Sequence, residues 1–125
     1  MSTTKPTRIA LLLFPGFQLL DATGPMDALA LLSLQHPLSL SILAATLDPV
    51  ATQNWQQTEA GSAFSSSIVP THTFASVQEK GAEFDMMLLP GGLGSRYVSL
   101  PVLHSQLALR FPSKSMLSNV KWKSG

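Results

Sequence analysis

Apolar residues run without interruption from Ile9 to Phe14 and stop at Pro15-Gly16. A run of that length without alternation predicts a strand buried on both faces, the kind found in parallel sheets. Thr23-Gly24-Pro25 then opens a helix expected over Met26 to Leu34. Thr23 or Gly24 can cap it, and Pro25 suits a first turn, where its missing N–H costs nothing. Pro37 closes that region, and Leu38 to Ala45 alternates before turning fully apolar, which predicts a second strand. The following stretch is polar, with alternation at Ala63-Phe64 and Ile68-Val69, and reads as short strands or a hairpin. Phe84 to Pro90 is another buried strand, closed by Pro90-Gly91-Gly92-Leu93-Gly94, and a helix is expected from about Leu100 to Leu109. The order β-α-β-(β-β)-(α)-β-α predicts an open α/β sandwich with a central parallel sheet. Ligands of such sheets bind outside the carboxyl ends of the strands. The loops 15–24 and 90–95 both leave strands at that end, so the pattern alone brings Asp21 towards the Gly91-Gly92 turn.

Composition narrows the picture. A chain of 125 residues is one domain, long enough to bury a core. Hydrophobic residues make up 45% and charged residues 12%, against about 25% charged in an ordinary soluble domain. Such a chain either has surface covered by a partner or lacks part of a larger fold. A net charge of +1 argues against a dedicated nucleic-acid binder. No acid follows Asp85, whereas Arg96, Arg110, Lys114, Lys121 and Lys123 do. These cations read as a solvated, partly disordered basic end, with residues 113–125 as its tail, or alternatively as an anion-binding face. The absence of cysteine excludes disulfides, thiolate catalysis and cysteine metal sites. The run 9–14 is too short for a signal peptide, and nothing approaches the ~20 apolar residues of a membrane span. A soluble, cytoplasmic protein without a membrane partner is expected.

The candidate chemistry is sparse. Asp21 lies between Leu20 and Ala22, and burial there would fit its carboxyl for acid–base work. The competing explanation is an acid near a helix N-terminus, held by the dipole and the free N–H groups. The stretch "LPGGLGS" can present backbone N–H groups to an anion, or can simply be a tight strand-to-helix turn. His36, His72 and His104 lack the spacing of a metal site, and no serine sits in a Gly-x-Ser-x-Gly context.

Taken together, "LLFPGFQLLDATGPMDAL" and "FDMMLLPGGLGS" resemble the ThiJ/PfpI family of the class I glutamine amidotransferase-like superfamily, with isonitrile hydratases as the nearest likeness. Phe14-Pro15, Leu20-Asp21, Thr23-Gly24-Pro25, Asp27 and Leu29 carry the first motif; Asp85, Pro90, Gly91, Gly92 and Gly94 carry the second. The resemblance implies a flavodoxin-like sandwich over residues 8–112 with the carboxyl-terminal part of the family fold missing. It also implies a homodimer, or pairing with a full-length relative, and no metal or organic cofactor. The implied activity is hydration of an isonitrile to an N-substituted formamide, a lyase reaction. In it Asp21 acts as general acid/base, and Gly91, Gly92 and Gly24 contact the substrate. The segment after Phe111-Pro112 reads "SKSMLSNVKWKSG" and supplies no cysteine elbow, so the implied thioimidate route has no nucleophile on this chain. The alternative is a non-catalytic small-molecule-binding module, since some transcription regulators carry a similar sensor domain without the cysteine. Those regulators append a DNA-binding helical region that nothing in this sequence supplies.

Overall fold

The structure is a computed structural model and describes residues 7–96. The helix expected at 100–109, His104, the 113–125 tail and the last part of the 8–112 unit lie outside the described residues. β1 (Arg8–Leu12) is followed by α1 (Leu19–Leu32) and β2 (Ser39–Ala44). β3 (Val50–Ala51), α2 (Trp55–Glu59) and β4 (Ser67–Ile68) form a small excursion. β5 (His72–Thr73), α3 (Phe74–Glu79), β6 (Met86–Leu88) and a 3-10 turn (Leu93–Arg96) complete it.

Four strands make a parallel sheet in the order β5-β2-β1-β6, and β3 pairs antiparallel with β4. The α/β architecture with a central parallel sheet is thus as the pattern predicts, and it is consistent with a flavodoxin-like fold. β1 lies between β2 and β6, with Leu11 opposite both Ile42 and Leu88. Period-two alternation sends its side chains to two separate cores. Leu11 and Leu13 join Ile42, Ala44, Phe17 and Ala22 on the α1 face, with Met26 packed against them. Ala10 and Leu12 join Leu43, Val77 and Phe84 on the opposite face, with Phe74 of α3 beside them. All residues from Ile9 to Phe14 are buried, which is why the run shows no alternation in sequence.

Two expectations need correction. α1 starts at Leu19, not near Met26, and Pro25 lies inside it. Ala22, Met26 and Leu29 recur at helical spacing and face inward. Burial of Ala22 against the sheet outweighs the start signal of Thr23-Gly24-Pro25, although Pro25 has no N–H to give the carbonyl of Asp21 four residues before it. Secondly, the polar stretch holds a short helix, α2, as well as the β3–β4 pair, and Ala63-Phe64 is not a strand, whereas α3 stands where the predicted order has a helix before the last strand. Each short helix is opened by a reciprocal capping box, Asn54 with Gln57 and Thr73 with Ser76.

At the amino end of the sheet an ion pair joins β1 to the approach of β6. The Arg8 guanidinium donates to both Asp85 carboxylate oxygens, at 3.1 and 2.9 Å, and the backbone N–H groups of Thr7 and Arg8 donate to Oδ2. The Arg8 side chain first, and then those two N–H groups, hold the Asp85 carboxyl well below the usual carboxylate range. A depressed folded pKa stabilises the fold above the unfolded value of about 4 and loses that contribution as pH falls below it. Asp85→Asn is therefore expected to flatten the decline of urea midpoint between about pH 4 and pH 2. A decline as steep as that of the parent chain would show that other carboxylates govern it.

Candidate functional site

The loops leaving β1 and β6 meet at the carboxyl edge of the sheet. Gly16 adopts φ +81°, and its N–H donates to the Ala51 carbonyl at 2.9 Å. The N–H of Gly94 donates back to the Gly16 carbonyl at 3.2 Å. A Cβ on Gly94 would overlap the Pro15 carbonyl, and one on Gly92 would sit 2.7 Å from the Gln18 nitrogen. Glycine at these positions is thus a condition of the two loops touching.

This contact sets the geometry of Asp21. Gln18 is the N-cap of α1, but its side chain makes no capping bond. Its backbone N–H instead donates to the Gly91 carbonyl at 2.8 Å, and the Gly91 N–H donates to Asp21 Oδ2 at 3.1 Å. In an ordinary capping box the acid at the third helical position would bond the N-cap N–H directly. Here the peptide of Gly91 is inserted between the two, using both its donor and its acceptor. Asp21 is exposed rather than buried, because Ala22 takes the inward position. A carboxylate in the first turn is also favoured by the helix dipole. Asp21→Ala removes the acceptor and the charge together and is expected to cost about 1 kcal/mol in urea unfolding. Asp21→Asn, which keeps an acceptor oxygen, should cost less; equal losses would mean that the Gly91 bond contributes nothing.

The site residues named from sequence therefore separate. Asp21, Gly91 and Gly92 converge, as their place at the carboxyl edge predicts. Gly24 lies within α1, three positions past Asp21, and not at a cap. The Gly91 N–H is already given to Asp21, so in this state it is not offered to a substrate oxygen. Among the described residues no group of three or more His, Asp or Glu side chains can hold a metal ion, and no helix is long and apolar enough to cross a membrane.

Beside this loop contact lies a recess of about 160 Å³ that the motif reading missed. Gly16, Phe17, Gln18 and Leu19 form one wall, and the β3–α2–β4 excursion forms the other. On that second wall stand Thr52, Asn54, Gln57, Phe64 and Ser66. The only advance signal for it was the capping pair Asn54-x-x-Gln57. A second concavity, an apolar groove of about 200 Å³ under α1, opens towards the amino half of the sheet by Ile9, Met26, Leu29, Leu40 and Leu88.

No family model matches the chain, and no curated protein matches it. Among solved structures it is similar to an AraC family transcriptional regulator from Pseudomonas putida, with 23% identity and a TM-score of 0.55. The match covers 82% of this chain and 49% of that one, so this chain spans about half the regulator's length. At that identity the likeness establishes the fold alone. Assignment to the ThiJ/PfpI family is overturned by these findings. The motif residues that carried the resemblance have local structural work instead: Thr23-Gly24-Pro25 is helix interior, and Gly91, Gly92 and Gly94 interlock two loops.

Proposed function

We propose that this chain is a non-catalytic module that binds a small organic molecule in the recess at the carboxyl edge of its sheet. The observation that carries this reading is the recess itself: a concave surface beside the N-terminus of α1, where open α/β sheets receive their ligands. Its side chains are amides, hydroxyls, two phenyl rings and a leucine, with no cysteine in the chain to act as nucleophile. The neighbouring carboxylate, Asp21, is engaged in joining two loops. The solved structure of similar fold is a transcriptional regulator, which is in keeping with a binding role.

A fragment screen on the full chain by amide chemical-shift perturbation tests the reading. Hits are expected to move the amides of residues 16–19 and 52–66; a screen whose hits all map elsewhere would overturn it. Isonitrile hydration is the competing reading, favoured by the exposed Asp21 carboxylate at the same edge. Incubation with a simple alkyl isonitrile is expected to yield no formamide above buffer, because loss of a nucleophile removes several orders of magnitude in rate. Turnover abolished by Asp21→Asn would establish hydration without a thiol and displace the binding reading.

A further inference from the structure

We infer that the recess selects an uncharged, amphipathic ring compound and that Phe64 is the residue that covers it, an inference resting on the binding reading above. None of the residues that line the recess is ionisable. An ion entering it would shed water without meeting an oppositely charged side chain on the lining, which penalises either sign. Neutral hydrogen-bonding capacity is nevertheless available. Asn54 Oδ1 accepts from the Gln57 N–H at 3.0 Å, which leaves Asn54 Nδ2 without a partner among the described residues. The Gln18 amide caps nothing, and Thr52 Oγ1 accepts from the Ser66 N–H at 3.0 Å while its own hydrogen stays available. Those groups recognise an amide, carbonyl or hydroxyl.

Phe64 supplies the apolar half. It lines the recess yet is 85% exposed, the most exposed large apolar side chain among the described residues. Its segment does not swing freely, since Gln57 Nε2 donates to the Phe64 carbonyl at 3.0 Å, and Gln57 is itself fixed by the capping box with Asn54. The backbone that carries the ring is therefore held at the mouth of the recess, and the ring has a face to offer. A flat ligand lying between Phe64 and the Phe17–Leu19 wall would remove that face from water, with the offset or edge-on geometry aromatic pairs prefer.

The test is a charge series on one scaffold: benzamide, benzoate and benzylamine, titrated into the full chain and followed by amide chemical shifts. Benzamide is expected to bind at the recess, with benzoate and benzylammonium each at least about tenfold weaker. Phe64→Ala, a change at an exposed side chain that leaves both cores intact, should weaken benzamide at least about fivefold, and Phe64→Tyr should restore it. Equal or tighter binding of either ion, or unchanged affinity in Phe64→Ala, would overturn the inference. So would failure of all three compounds while other fragments still map to the recess, a result that would leave the binding module standing. If no fragment of any kind maps there, the module falls as well.

Discussion

Replacing Gly92 by alanine is expected to destabilise the chain by about 3 kcal/mol, measured by urea unfolding. Two costs coincide at this position. Its φ of +133° is a conformation that residues with a side chain rarely adopt. The new methyl would also lie 2.5 Å from the Gly16 carbonyl oxygen, 2.7 Å from the Gln18 nitrogen and 2.9 Å from the Phe17 Cα. All three are backbone atoms, so no side-chain rotation relieves the clash. The loops must separate, and separation carries Gly91 away from Gln18 and Asp21. Gly61→Ala is the matched control. Gly61 also has positive φ, at +74°, but a Cβ there meets nothing within 4 Å. Only the conformational cost of about 1 kcal/mol is expected for it. Comparable losses in the two variants would mean that contact between the loops is not what requires glycine at position 92.

The second large effect is expected of Leu11→Ala, at about 3 kcal/mol in the same assay. Leu11 is fully buried in the central strand, with neighbours on β2 and β6 and the start of α1 over it. Removing three methyl-sized groups there loses their transfer free energy and leaves a cavity that flanking strands, fixed by hydrogen bonds, cannot close. Leu31→Ala on the outward side of α1 is the contrast. Leu31 is 64% exposed, and its truncation is expected to stay within about 0.5 kcal/mol of the parent. A similar loss at both positions would mean that the outer side of α1 is itself covered.

These two variants test different parts of the molecule. Leu11 reports on the sheet that carries the site, whereas Gly92 reports on the loop contact that shapes it. The ligand tests act on a third set of residues, on the excursion between β3 and β4. That division makes failure of one proposal readable without failure of the rest.

Much of the scaffold was legible without coordinates. The unbroken run Ile9–Phe14, cut short by Pro15-Gly16, reads as a strand covered on both sides, and the punctuation at Pro15-Gly16 and Pro90-Gly91 marked where the loops leave the sheet. Parallel pairing follows from strands separated by helical stretches, and parallel pairing puts both loops at one edge. Asp21 beside Gly91 was therefore foreseeable from order alone. The family resemblance was not a reliable guide, because short strings such as Thr-Gly-Pro and Pro-Gly-Gly serve helix and turn geometry in many settings.

What tertiary structure alone decided is the environment of each group. Local signals placed the start of α1 at Thr23–Pro25, but burial of Ala22 against the strands drew the helix back to Leu19. That shift turned Asp21 from an expected buried acid into an exposed third-position residue bound to Gly91. The recess was equally hidden, since its two walls are separated by some 35 positions of chain and none of its side chains forms a motif. Hydrophobic periodicity reports which side of an element is covered. Which polar groups from distant segments then share a cavity depends on how the covered sides are stacked, and only the packed chain contains that information.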